Sequence, residues 1–226
     1  MIKIENVEVM GWEHAIRGMR NPKNSWDKSD SEFIPWDISD FNIGNNDLKL
    51  MTALRDAGTD HRKFMRMITV YLDITAPLYW WKEFDTYKVG TVANSCSTMH
   101  KIHDKEFTLD DFSHEHIKDF DGFKDKVTGS LSIGWFELCM QGTIDHLNLA
   151  RKLYCQTGDK KYWWQMIQLL PTSYNQKRTV MLNYEVLANM YKSRKAHKLD
   201  EWRTLCEWIE TLPYSELIIG REETNE

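Results

Sequence analysis

The sequence lacks what a cross-linked, fibrous, membrane-spanning or nucleic-acid-coating protein needs. Its four cysteines, Cys96, Cys139, Cys155 and Cys206, are widely scattered with no CxxC pair, so neither a zinc knuckle nor a disulfide framework is indicated and a reducing compartment is expected. Gly 11 and Pro 5 are too few for a low-complexity or collagen-like chain. No apolar run approaches the roughly 18 residues of a membrane span, and the N-terminus MIKIENVEVM alternates apolar with polar residues. Basic charge is also missing: the net charge of −5 argues against a binder of polymeric nucleic acid, which needs a clustered basic face. These absences lead to the expectation of a soluble, cytoplasmic protein with no membrane partner.

Aromatic rings are plentiful. Trp 10, Tyr 9 and Phe 9 make 28 rings in 226 residues, enough chain to bury about 70% of its unfolded surface. Rings supply large buried area, and their flat faces also stack on bases or flavins.

Along the chain, Ile2, Ile4, Val7, Val9 and Met10 form a strand pattern with one slip in its alternation, followed by a helix over 12–20. The stretch from Asn21 to Asn46 predicts a long ordered loop anchored by Trp26, Phe33, Trp36 and Phe41. Asn46-Asp47 reads as the cap of a helix carrying Leu48, Met51, Leu54 and Arg55, which Gly58 stops. Ile68, Val70, Leu72 and Ile74 share one face of a strand, and Pro77 then opens a helix, APLYWWKEFDTY, that leads into the polar loop KVGTVANSCSTMH. From His100 to Gly129 the chain is acidic and irregular. Helices are expected over 133–156, 159–170, 175–193 and 198–211. The fold class is α/β (α+β), a central sheet with a helix-rich C-terminal half, in a single domain over 1–226 with a polar tail over 217–226.

Two constellations carry chemistry. Residues 183, 187, 190 and 194 are spaced 4, 3 and 4, which puts Asn183 and Arg194 on one helical stripe, with Lys177 and Arg178 just upstream of it. A guanidinium at a helix end grips a carboxylate or phosphate in bidentate fashion, and several cations with an amide are what a nucleotide pocket needs; a solvated basic face has the same pattern. The second constellation is Lys82, Glu83, Tyr87, Lys88, Asn94 and Ser97, whose amide and hydroxyl groups can hydrogen-bond a pyrimidine edge or phosphate.

Together the two resemble the flavin-dependent thymidylate synthase family. APLYWWKEFDTYKVGTVANSCSTMH keeps Ala76, Pro77, Asn94 and Ser97 of the family's strand, helix and loop motif, with the loop to Ser97 one residue longer. Lys82-Glu83-Phe84 stand where the family has Arg-Gln-Trp, Thr86-Tyr87-Lys88 where it has Arg-His-Arg, and Met99 and His100 where it has Arg and Tyr. LLPTSYNQKRTVMLNYEVLANMYKSRKAH places Asn183, Asn189 and Arg194 at the family's spacing, with Glu185 for an arginine and His197 one residue early. The resemblance is strongest over residues 50–100 and 165–205, in the same order.

What the resemblance implies is a homotetramer that binds a pyrimidine deoxynucleotide, deoxyuridine monophosphate (dUMP) or a relative. A one-carbon unit would pass from methylenetetrahydrofolate through FAD, with NADPH as hydride source and no cysteine nucleophile. Matched positions give Lys82, Glu83, Ser97, Arg178 and Arg194 to the nucleotide, with Lys177 in place of Arg178 if the register shifts by one; Arg194 and Ser97 are the catalytic candidates. Lys88, Asn94, Asn183, Asn189 and His197 go to the flavin. The missing Arg-His-Arg leaves an alternative open: a non-catalytic homologue that binds a nucleotide or a protein partner without flavin.

Other groups weigh less. His100, His103, His114 and His116 with Asp104 and Glu106 could in principle assemble a metal site, but no zinc signature is matched and no metal is assigned. Cys96 beside Ser97 has no identifiable base partner. In the pairs Trp80-Trp81 and Trp163-Trp164, adjacent rings point about 100° apart on a helix, so at most one of each pair faces a pocket.

Overall fold

The structure is a computed structural model that describes residues 2–34, 41–117 and 135–220. Its chain order is β1 (Lys3–Met10), α1 (Trp12–Arg20), β2 (Glu32–Phe33), β3 (Phe41–Asn42), α2 (Asn45–Asp56), β4 (Thr69–Pro77), α3 (Leu78–Phe84), β5 (Val92–Ser95), α4 (Trp135–Thr157), α5 (Lys160–Leu169), β6 (Asn175–Asn183), α6 (Tyr184–Arg194), α7 (Asp200–Glu210) and α8 (Glu216–Ile219). A central antiparallel sheet runs in the order β1-β4-β6-β5, and β2 pairs with β3 as a separate antiparallel ribbon. This is the α/β class with a helix-rich C-terminal half that the sequence predicts.

The contacts cluster into two compact units. One contains residues 75–83 and 95–177, the other residues 2–74, 84–94 and 178–226. In the first, α4 and α5 form a helical hairpin around Gly158, whose φ of +69° suits a residue without a Cβ, and Asp159 caps α5 by accepting from the Lys161 N–H. Ile144, Leu147, Ala150 and Met166 from this hairpin pack with Ile102, Phe107 and Phe112. Trp80 and Trp81 of α3 are both fully buried, edge to face with centroids 4.9 Å apart, and Trp81 Nε1 donates to the Gln176 carbonyl at 2.9 Å. Trp163 donates to the Met99 carbonyl, whereas Trp164 is exposed.

The second unit holds the core of the sheet. Ile68, Val70, Leu72 and Ile74 are buried along one face of β4, as period-2 alternation requires, and Tyr71 on the other face is exposed. The slip in β1 falls at Asn6, which takes φ +52° while its side-chain amide donates to Asp73 at 2.8 Å. Residues 21–34 are organised by one carboxylate as well as by rings, with Trp26 Nε1 donating to Asn21 Oδ1 at 2.9 Å and Phe33 stacking on Phe41. Asp47, fully buried, accepts from Arg20 Nε at 2.7 Å, from the Ser29 and Ser31 hydroxyls, and from the Asp30 and Ser31 N–H groups. Burial alone would push the Asp47 carboxyl up; the bonds from Ser31, Ser29, Arg20 and the Asp30 N–H outweigh it and hold the group below the usual carboxylate range. Phe41 stacks on Trp12, Trp26 is half exposed, and Trp36 lies outside the described residues.

Three sequence expectations are corrected. Residues 175–183 form β6, not the start of a helix: Gln176, Val180 and Leu182 are buried on alternate positions, and the helical period begins only at Tyr184. The N-cap of α2 is Gly44, not Asn46-Asp47, because the Asp30 carboxylate takes the Asn46 and Asp47 N–H groups and frees Asp47 for Arg20. Residues 217–219 are no tail: they belong to α8, where Leu217 and Ile218 are buried, and residues 221–226 lie outside the described set. Two smaller differences are that Pro77 ends β4 instead of opening α3, and that residues 118–129 of the acidic stretch lie outside the described residues.

Candidate functional site

The second unit gathers several of the candidate residues around the segment that joins α3 to β5. Strand β6 ends and α6 begins at Asn183, whose extended backbone (φ −136°, ψ 168°) makes it the N-cap; its side-chain oxygen accepts from the Val186 N–H at 3.0 Å. Asn183 therefore does not share a helical stripe with Arg194; it sits at the opposite end of α6. The segment reaches both ends of that helix. Gly90, at φ +81°, packs so closely on the cap that an added Cβ would lie 2.9 Å from Asn183 Nδ2. Tyr87 Oη accepts from Arg194 Nε at 3.0 Å, and the Arg194 guanidinium stacks 4.6 Å from the ring centroid of Trp202 on α7. Asp85 accepts from Arg178 Nη1 at 2.8 Å, and the Thr91 hydroxyl donates to the Tyr87 carbonyl. Lys88, in the same segment, and Asn94, in β5, are exposed.

The remaining flavin candidates of this unit are bonded within the protein. His197 Nδ1 accepts from the Leu199 N–H, and its ring meets Trp202 edge to face. Asn189 Oδ1 accepts from Arg62 Nη2 at 3.0 Å. Arg62 also reaches Glu185 at 3.3 Å, and Arg66 donates to the same carboxylate, which raises the Arg66 pKa. Glu185, where the family motif has arginine, is thus matched by two arginines from residues 62–66 on a 3-10 turn.

In the first unit, Lys82 is exposed on α3 and Glu83 half-buried. The Ser97 hydroxyl oxygen accepts from the Met99 and His100 N–H groups, closing a turn, while Cys96 is tied through its backbone to Lys177 and Gln176. The Lys177 side chain is half-buried. Among the described residues, no three His, Cys, Asp or Glu side chains come together as a metal-binding group. Burial pushes the Cys206 thiol up to about 11, so it stays protonated at neutral pH.

Sequence reasoning did not assign Asp85, Trp202, Arg62 or Arg66 to the site. The signal for the two arginines is the charge reversal at Glu185, which calls for nearby cations. Trp202 and Asp85 carry no local signal, since both meet their arginines only through tertiary structure. A cavity of about 420 Å³ in this unit is lined by Val7, Val9, Phe41, Trp208, Leu212 and Pro213, and no candidate residue borders it.

No family model and no curated protein matches the sequence. Solved structures do match the fold over nearly the whole chain. A structure of the flavin-dependent thymidylate synthase ThyX from Helicobacter pylori, complexed with FAD and dUMP, is similar with a TM-score of 0.65 and 15% identity, over 95% of this chain and 96% of that one. A second structure of the same enzyme with FAD and dUMP gives a TM-score of 0.65 at 14% identity, over 96% of each chain. The UMP/dUMP methylase PolB from Streptomyces cacaoi, bound with 5-Br dUMP, gives a TM-score of 0.57 at 14% identity, over 93% of this chain and 89% of that one. The chain therefore has the flavin-dependent thymidylate synthase fold. ThyX and the methylase PolB are among the structures that share this fold. No helix among the described residues is long and apolar enough to cross a membrane.

Proposed function

We propose that the protein is a divergent flavin-dependent thymidylate synthase-like protein that binds a pyrimidine deoxynucleotide of the dUMP class. The observation that carries this reading is that Arg178 and Arg194, the two arginines at the family's nucleotide positions, are both fixed by residues of the 85–91 segment in one compact unit. Fixed guanidiniums suit a phosphate or a uracil carbonyl, both of which they grip by paired N–H bonds. The resemblance adds Lys82, Glu83, Ser97 and Lys177 to the nucleotide set.

FAD is the proposed cofactor. Lys88 and Asn94 are exposed and keep a cation and an amide for it, whereas Asn183, Asn189 and His197 already bond within the protein, so the first two would hold the group. A bound flavin supplies carriage of the one-carbon unit from methylenetetrahydrofolate and of the hydride from NADPH. The chain's own part is to hold the nucleotide's anionic oxygens and to orient the pyrimidine. The working assembly in this reading is a cytoplasmic homotetramer.

A second reading, a non-catalytic homologue that binds a nucleotide without flavin, is favoured by the Asp85 carboxylate on Arg178 and by Thr86-Tyr87-Lys88 in place of Arg-His-Arg. Absorbance separates the two. Purified protein with a band at about 450 nm, or one that gains it on adding FAD, supports the flavin reading. Protein that stays colourless with FAD yet binds dUMP supports the second. Arg194→Ala should weaken dUMP binding more than it lowers the melting temperature; equal affinity removes Arg194 from the site.

A further inference from the structure

The cavity of about 420 Å³ in the second unit is of a size that takes a small ligand, and its wall is apolar and partly aromatic. Val7 and Val9 come from β1, Phe41 from β3, and Trp208, Leu212 and Pro213 from the C-terminal end of α7 and the turn after it. Val7 is 42% exposed, and Val9, Phe41 and Trp208 are half-buried, so this wall still presents apolar surface.

The polar groups at the cavity suit a cation. Glu8 is the one charged residue that borders it, and its carboxylate is exposed, with no hydrogen bond or ion pair among the described residues. Thr211 borders it too, and the Thr211 hydroxyl donates to the Trp208 carbonyl at 2.7 Å, which leaves its oxygen as an acceptor. Backbone donors of the turn are spent: the Thr211 and Leu212 N–H groups bond to the Trp208 and Ile209 carbonyls, and Pro213 has none. The end of α7 adds negative potential, because its last turn holds Glu207 and Glu210 and no base, and the C-terminal end of the helix dipole is negative. The Tyr191 hydroxyl that donates to Glu210 brings no positive charge. Lys3, the one base of β1, is paired with Glu5 at 2.8 Å. An anion would meet repulsion here. An ammonium on an apolar body meets the acceptors and the wall together, and rings such as Phe41 and Trp208 attract a cation.

We propose that this cavity is a binding site for a small organic cation, an ammonium group carried on an aromatic or aliphatic body. Glu8 pairs with the charge, while Trp208, Phe41 and the aliphatic wall hold the body. None of the lining residues is assigned to the nucleotide or the flavin, so the inference does not depend on that reading.

The test uses the full chain and three probes of one shape, phenethylamine as the cation, 2-phenylethanol as the neutral form and phenylacetate as the anion, each titrated by saturation-transfer NMR. Phenethylamine should bind about tenfold more tightly than 2-phenylethanol, and its advantage should shrink as salt is raised. Phenylacetate should be the weakest. Glu8→Gln, at an exposed position, should weaken phenethylamine about fivefold and leave 2-phenylethanol unchanged, with the melting temperature unaltered. Trp208→Ala should weaken both, and Trp208→Phe, which keeps a ring, should retain most of the affinity. If Trp208→Ala does not fold, Glu8→Gln and Trp208→Phe carry the test. Phenylacetate binding as tightly as phenethylamine, phenethylamine binding untouched by Glu8→Gln, or no binding of phenethylamine at millimolar concentration each overturns the proposal. Charge-dependent binding of phenethylamine to a protein that binds no dUMP supports this site and removes the nucleotide reading alone.

Discussion

The Asp85 carboxylate accepts a hydrogen bond from Arg178 Nη1 at 2.8 Å, which places an internal anion on a cation assigned to the nucleotide. An incoming phosphate would have to compete with it. Asp85→Asn should therefore tighten dUMP binding, by up to about fivefold given what partly exposed ion pairs contribute. Calorimetric titration checks this, and the gain should shrink as salt is raised. Weaker binding in Asp85→Asn would show that Asp85 orients Arg178 rather than competing for it.

The carboxylate at Asp47 gives a second expectation. Its folded pKa is lowered, so the unfolded state binds more protons at acid pH and the group's stabilisation is present above the ordinary carboxylate value of 3.8. That stabilisation is lost as pH falls below 3.8 towards the lowered folded value. Asp47→Asn should cost about 3–5 kcal/mol at neutral pH, because Arg20 is left buried with its partner neutralised. Urea melts from pH 7 to pH 3 should show the difference between wild type and variant narrowing only at the acid end.

Gly90 and Asn183 should behave as a coupled pair. Gly90→Ala meets both an unfavourable φ and the Asn183 amide, and is expected to destabilise by about 1–3 kcal/mol; Asn183→Ala, losing the cap, costs about 1 kcal/mol. In the double variant the clash with the amide is gone, so the two costs should sum to more than the measured loss. Strict additivity in denaturant melts would show that the glycine answers to φ alone.

Restoring the family's residue at 185 should harm this protein. Glu185→Arg places a third guanidinium against Arg62 and Arg66 and should lower stability, since it replaces attraction with repulsion. Thermal melts check the loss. Arg62→Glu combined with Glu185→Arg should recover part of it.

The cysteines offer a simpler check. Cys96, Cys139 and Cys155 are exposed and should react with a thiol reagent in the native protein, while Cys206, buried and with its pKa pushed up to about 11, should react only after denaturation.

Some of this is legible in the sequence and some is not, for physical reasons. β4 is legible because one face is buried at every second position from Ile68 to Ile74 while Tyr71 meets solvent. α1 is legible because Trp12, Ile16 and Met19 recur at helical spacing ahead of Pro22. β6 misleads because QKRTVMLN joins directly to YEVLANMYKSR with no glycine or proline between, and the junction is marked only by the Asn183 cap and by tertiary hydrogen bonding such as the Tyr184 N–H to the Ile68 carbonyl. In the candidate site, Arg178, Asn183 and Arg194 stand out through the motif resemblance, while the 4, 3 and 4 spacing misleads, since Asn183 caps the end of α6 opposite Arg194. The partners Asp85 and Tyr87 are not legible as such, because each lies about 90 residues or more from the arginine it holds, and Trp202, though near Arg194 in sequence, belongs to a separate helix.

The ties within the second unit also bear on the order in which the chain can fold as it is made. Ile43 donates its N–H to the Tyr214 hydroxyl, and Arg55 donates to the Glu216 carbonyl, so α2 and its flanks are bonded to residues more than 150 positions later. On a ribosome, residues 75–83 and 95–177 have all emerged before β6 is complete, whereas Tyr214 and Glu216, the partners of Ile43 and Arg55, emerge later still. The N-terminal strand and helices must therefore wait, partly unpartnered, while the first unit closes. Such long-range closure is slow, and a nascent chain halted before Tyr214 should be the form most in need of a chaperone.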